Sequence, residues 1–98
     1  MSGFIQIIEW KTSKMDKMRA YQEEWRQKHP DMGPSRVLLC EDRDNAGTYL
    51  TVVEFDSYDA AMKNNEDPAT SEFAEKMQTF SDGPPTFRNL NLLTTEEQ

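Results

Sequence analysis

Apolar side chains in the stretch FIQIIEW, residues 4–10, are β-branched or aromatic and sit at both parities, which predicts a strand covered on both faces. The period then lengthens. Ser13 and Asp16 are spaced like a capping box with Asp in the usual Glu place, and Met15, Met18, Tyr21 and Trp25 recur at helical spacing. Pro30 biases His29 away from helical angles, so this first helix is expected to stop at about Lys28.

Two β-rich runs, 35–42 and 48–56, flank a polar turn holding Asn45 and Gly47 and read as a hairpin. Asp56 or Ser57 can cap a short second helix through about Asn64, and Asp67 before Pro68 marks the start of a third. Phe73, Met77 and Phe80 give the third helix its apolar stripe, Gly83 is placed to end it, and TFRNLNLL makes a last strand. The tail 94–98 is expected to be loose.

The order β–α–β–β–α–α–β in a chain of 98 residues predicts one domain of α+β class. Its plan is ferredoxin-like: a four-stranded antiparallel sheet with helices on one face. Ile5, Ile7, Val53, Phe55, Leu90 and Leu92 share one parity within their strands, and Phe4, Ile8, Leu50, Val52, Phe87 and Leu93 share the other. Both sheet faces are therefore apolar, while helices can cover only one. Leaving the second face in water would cost ~25 cal/mol per Å², so a homodimer closing a barrel sheet to sheet is expected.

Charge narrows the partners. With 11 Lys and Arg among 18 Asp and Glu, the formal net charge is −7, which argues against nucleic acid and against an anionic membrane surface. The one cysteine, Cys40, can form no disulfide within the chain and builds no cysteine-based metal site. It reads as a small buried hydrophobe in a strand. There is no basic leader before an apolar core and no run approaching the ~20 apolar residues of a membrane span, so the sequence reads as soluble and cytoplasmic.

Candidate chemistry is sparse. Met18, Trp25 and His29 fall within about 40° on the first helix, with Gln22 on the same side. Together with Tyr21, Phe73, Met77 and Phe80 they suggest a cleft between helices and sheet, with Gln22, His29, Asn65 and Asn89 as its polar groups. Such a lining suits a flat aromatic ligand; a Met and aromatic stripe can equally be core packing. Asn65 follows Tyr58, Ala61 and Met62 on one helical stripe, where it can end the second helix or orient a ligand carbonyl. His29 is either a helix-end residue facing the dipole or a base. The turn DRDNAG places Asp42, Asp44 and Gly47 like a calcium loop, but Ala46 and Val53 stand where two more oxygen ligands are needed, which leaves a hairpin turn. No phosphate loop, nucleophile elbow or zinc pattern occurs, and Arg36 and Arg88 lie in strands where carboxylate pairing is their expected fate.

The segment YLTVVEFDSYDAAMKNNEDPATSEF, residues 49–73, resembles dimeric α/β-barrel proteins related to the antibiotic biosynthesis monooxygenases. Glu54 and Phe55 match the strand end, Ala61 and Met62 the short helix, and Phe73 the helix that follows. Such proteins include cofactor-independent oxygenases of aromatic polyketides, haem-degrading oxygenases and cyclases. Many carry His where Asn65 stands, and the haem-degrading ones need a His on the third helix; PATSEFAEKMQTF has none. The resemblance thus implies a small-molecule enzyme acting on an aromatic substrate with no cofactor and no metal. In that reading His29 and Asn65 are catalytic, and Gln22, Trp25, Tyr21, Phe73, Met77 and Asn89 bind the ligand. A non-catalytic ligand-binding or stress-related dimer is the alternative, and a barrel whose cleft is filled by its own side chains is a third.

Overall fold

β1 (Phe4–Lys11) is the strand on which the sheet is built. In the computed structural model, which describes residues 3–30 and 33–96, it pairs antiparallel with β3 (Thr48–Phe55) on one side and β4 (Thr86–Asn91) on the other. β2 (Arg36–Glu41) pairs with β3 and forms one edge, giving the order β2-β3-β1-β4. α1 (Met15–Lys28) follows β1, and α2 (Tyr58–Glu66) and α3 (Pro68–Thr79) follow β3. This is the βαββααβ plan expected from the sequence, with all neighbours antiparallel. Beyond β4 the backbone amide of Leu92 still donates to the Gly3 carbonyl at 3.0 Å. Residues 92–96 carry no regular secondary structure, and the last two residues of the 94–98 tail lie outside the described ones.

Register decides which side chains share a face, because directly opposed residues point the same way. Phe4 stands opposite Phe55, Gln6 opposite Val53 and Asn89, and Ile8 opposite Thr51 and Phe87. The helices cover this face. Phe4, Val53 and Phe55 pack with Ala61 of α2, and Trp10 packs with Met18 of α1 and Met77 of α3. Ile5, Ile7, Leu38, Leu50, Val52 and Leu90 share the opposite face, where the core clusters contribute no helix. Both faces are apolar, as expected, but β3 is turned over relative to the parity grouping. Val53 and Phe55 side with Phe4 and Ile8, and Leu50 and Val52 with Ile5 and Ile7, because register and not residue number sets the face.

Local chemistry fixes the element ends. Ser57 Oγ accepts from the Ala60 amide at 3.1 Å, and Asp67 Oδ1 accepts from the Ala69 amide at 2.9 Å, so both later helices start on the expected caps. α1 differs. Its N-cap is Lys14 with no side-chain cap, and the Ser13–Asp16 box does not form. Thr12, buried at the end of β1, does the tying instead: its hydroxyl accepts from the Lys14 amide at 2.9 Å and donates to the Phe80 carbonyl. α3 stops at Thr79, well short of Gly83, and the Asp82 amide donates to the Lys11 carbonyl at 2.7 Å, drawing the chain off the helix axis.

Asp42 organises the hairpin turn through its carboxylate, which accepts from the Asp44 amide and the Asn45 side chain at 3.0 Å each. Gly47 follows with φ +84°, a backbone angle that favours glycine. Cys40 is exposed rather than buried, because it lies on an edge strand and on the face the helices leave uncovered. Arg36 pairs with Glu54 of the adjacent strand. Among the described residues no helix is long and apolar enough to cross a membrane.

Candidate functional site

Between the sheet and the helices lies a cavity of about 560 Å³. The sheet supplies its floor with Gln6, Ile8 and Trp10 of β1, Thr51, Val53 and Phe55 of β3, Val37 of β2 and Phe87 of β4. α1 contributes Gln22, Trp25 and Arg26, which at spacings of three and four residues share one helical face. α3 contributes Thr70, Phe73, Ala74, Met77 and Gln78 by the same periodicity. Asn64 and Asn65 at the end of α2, Ser71, and Pro30, Gly33 and Pro34 after α1 complete the lining.

Aromatic packing builds the α1–α3 wall. Trp25 and Phe73 lie 4.8 Å apart at 45°, and Tyr21 stacks on Phe73 at 5.7 Å and 17°. Met18, only 1% exposed, fills the core beneath, with Phe80 packed against the same cluster. The Met and aromatic stripe therefore divides in two. Trp25, Phe73 and Met77 face the cavity, whereas Met18, Tyr21 and Phe80 support them from outside the lining.

The polar groups are mostly neutral. Gln6 Nε2 donates to Asn89 Oδ1 at 3.2 Å, so Asn89 bears on the cavity by holding Gln6 and is not itself in the lining. Asn65 is exposed overall yet lines the cavity, because α2 runs on to Glu66 and presents it in the last turn. His29 is half-buried at the end of α1, outside the lining, with its ring 4.7 Å from that of Trp25. Arg26 is the only ionisable side chain among the described lining residues. It meets the Glu23 carboxylate at 3.4 Å with both side chains 59% exposed, a contact that holds it weakly.

Thr70 escaped the sequence reading. The residue borders the cavity, while its Oγ1 is buried with no hydrogen-bond partner among the described residues. Asn64 and Arg26 were also missed, whereas Gln6, which interrupts the apolar run FIQIIEW on the parity of Phe4 and Ile8 and which the sequence leaves between the cleft and the dimer face, lines the cavity.

No protein-family model matches the sequence, and no curated protein matches it. Solved structures do match the fold. A candidate antibiotic biosynthesis monooxygenase from Caulobacter crescentus superposes with a TM-score of 0.79 at 14% identity, covering 95% of this chain and 92% of that one. A conserved protein from Methanosarcina mazei gives 0.77 at 8% identity, covering 92% of each chain. SnoaB, a cofactor-independent oxygenase from Streptomyces nogalater, gives 0.67 at 14% identity, covering 97% and 95%. Across nearly its whole length the chain therefore has the ferredoxin-like fold of the antibiotic biosynthesis monooxygenase structures. Identities this low speak to the fold alone.

Proposed function

We propose that the protein binds a flat, electron-rich aromatic molecule in the helix–sheet cavity and supports its oxidation by O₂ without a bound cofactor. The observation that carries this reading is the lining itself: Trp10, Trp25, Phe55, Phe73 and Phe87 supply apolar aromatic surface, and a few amides with Arg26 supply direction. In such chemistry the substrate provides the electrons. A ring CH₂ made acidic by a neighbouring carbonyl loses a proton, and the carbanion reduces O₂. The carbon peroxide so formed expels water to leave a new carbonyl, CH₂ + O₂ giving C=O + H₂O.

The protein's share is to orient the substrate, exclude water and stabilise the ionised form. Asn65 would hold the oxygen that gains charge, as amide donors do for an oxyanion, and the Arg26 cation would favour the ionised substrate. Gln22, Trp25, Phe73 and Met77 would set its plane, with Tyr21 and Asn89 backing Phe73 and Gln6. His29, next in sequence to the lining residue Pro30, would accept the proton.

Oxygen uptake with anthrone tests the reading. Turnover that falls at least tenfold, roughly 1.4 kcal/mol, in Asn65→Ala supports it; turnover indifferent to both Asn65→Ala and His29→Ala sinks the residue assignment. A second reading, ligand binding without turnover, is favoured by the lack of any carboxylate or imidazole among the described lining residues. Under it, ligand affinity survives His29→Ala and oxygen uptake stays at the uncatalysed rate.

The apolar face formed by Ile5, Ile7, Leu38, Leu50, Val52 and Leu90 supports a homodimer joined sheet to sheet, since Leu38 and Leu90 stand 42% and 40% exposed in the single chain.

A further inference from the structure

An aspartate followed by glycine is the pair in which a backbone nitrogen most readily attacks the preceding side chain, because glycine has no Cβ to hinder its own amide and leaves the backbone free to turn. The chain has one such pair, Asp82–Gly83, in the bend between α3 and β4, and both residues are exposed. Among the described residues the Gly83 amide has no hydrogen-bond acceptor and the Asp82 carboxylate no donor, so neither reacting group is tied up elsewhere. The space around Gly83 is open: a Cβ built on it would meet nothing within 4 Å. Other aspartates lack these conditions. The Asp42 carboxylate is engaged by the Asp44 amide and the Asn45 side chain, and Asp67 precedes a proline, which has no N–H. After Asp16 and Asp59 the next amide already donates, to the Lys14 carbonyl and to Ser57 Oγ respectively.

We propose that Asp82–Gly83 is a site of spontaneous modification, at which the folded protein converts aspartate to isoaspartate through a succinimide. The Gly83 nitrogen attacks the protonated carboxyl carbon of Asp82, a C–N bond forms, the nitrogen gives up its proton and the carboxyl hydroxyl leaves with it as water. Water then opens the ring. Addition at the side-chain carbonyl restores aspartate, whereas addition at the main-chain carbonyl breaks the original peptide bond and routes the chain through the Asp82 side chain. Water lost in the first step returns in the second, so mass and charge are unchanged and the main chain gains one methylene.

The position of that methylene gives it consequence. Just upstream the connection is fastened to the end of β1: the Asp82 amide donates to the Lys11 carbonyl at 2.7 Å, and the Thr12 hydroxyl donates to the Phe80 carbonyl. Just downstream Pro84 and Pro85 lead into β4, where Thr86 stands opposite Glu9 and Phe87 opposite Ile8. An extra atom between the two must be absorbed by releasing the fastening or the first pairs of β4, beside the cavity residue Phe87.

Peptide mapping of the full-length protein, stored at neutral pH and physiological temperature, tests the site. Isoaspartate is expected to accumulate over weeks in the peptide that spans Asp82 and Gly83, and the modified fraction to melt below the unmodified one. Gly83→Ala, for which the fold has room, should form it roughly tenfold more slowly with Tm unchanged. Asp82→Asn should reach the same succinimide faster, with release of ammonia.

Isoaspartate that forms in the urea-unfolded chain but neither in the folded wild type nor in folded Asp82→Asn overturns the proposal, because the fold then holds the two groups apart. So does accumulation at the same rate in Gly83→Ala. A modified fraction that melts together with the unmodified one overturns the consequence drawn for β4.

Discussion

The imidazole of His29 packs on the indole of Trp25, with ring centroids 4.7 Å apart and planes inclined at 33°. Trp25 in turn meets Phe73 across the α1–α3 interface, so a residue outside the cavity lining touches one inside it. His29 can act on a ligand as a base or by holding Trp25 in place. Phenylalanine separates the two, because it keeps the ring contact and loses the proton chemistry. If His29 is the proton acceptor, oxygen uptake falls tenfold or more, roughly 1.4 kcal/mol, in both His29→Phe and His29→Ala. Recovery of turnover in His29→Phe would assign it to positioning.

Val52 stands opposite Ile7 and Leu38 at the middle of the uncovered sheet face. A charge there would have to be desolvated on dimer formation, a cost of several kcal/mol. Val52→Lys is expected to weaken association at least a hundredfold, roughly 2.7 kcal/mol, with little change in secondary structure. Sedimentation velocity reads this directly, and a variant that stays dimeric at low micromolar concentration would move the interface elsewhere.

Asp67 has two duties at the α2–α3 corner. It ends α2, and its carboxylate caps α3 through the Ala69 amide at 2.9 Å. Asp67→Ala should cost about 1 kcal/mol, a fall of roughly 4–8 °C in Tm for a domain of this size. Asp67→Asn should recover most of it. Because Asn64, Asn65 and Thr70 flank the corner, ligand affinity should fall along with stability in Asp67→Ala.

The hairpin turn carries an acid-sensitive element. The Asn45 side-chain amide first, and the Asp44 backbone amide second, hold the Asp42 carboxyl below its ordinary value of 3.8. A carboxyl depressed in the folded state binds its proton more readily when unfolded, so its contribution is complete above the unfolded value and disappears as pH falls through the folded one. Asp42→Ala should therefore melt below wild type at pH 7, and the gap should close as pH is lowered through 4 towards 3. A gap that persists undiminished at pH 3 would assign the turn's stability to other groups.

Element order, the turn and two of three helix caps were legible because each rests on short-range chemistry: Ser57 and Asp67 at caps, Gly47 at a positive φ. What lay beyond reach depends on side chains distant in sequence. Thr12 replaces Ser13 at the start of α1 only because Phe80 comes back to meet its hydroxyl. The face on which Val53 lies follows from its register with Gln6 and Val37, which no residue parity reveals. Gln22, Trp25, Asn65, Phe73 and Met77 share one cavity because their helix faces were readable. Thr70 was not, since nothing in PATSEF shows which hydroxyl will be left without an acceptor.

The central place of β1 bears on how the chain folds as it is made. This strand is synthesised before the rest of its sheet, yet its partners are β3 and β4, and Phe4 waits for both Phe55 and Asn91. Until β3 exists, β1 has two open edges of apolar sequence; until β4 exists it still has one. Such distant pairing is entropically slow to form and leaves early chains prone to association. Until the chain that completes its sheet arrives, the contact of Trp10 with Met18 of the early helix α1 is the native packing within reach that covers part of this strand.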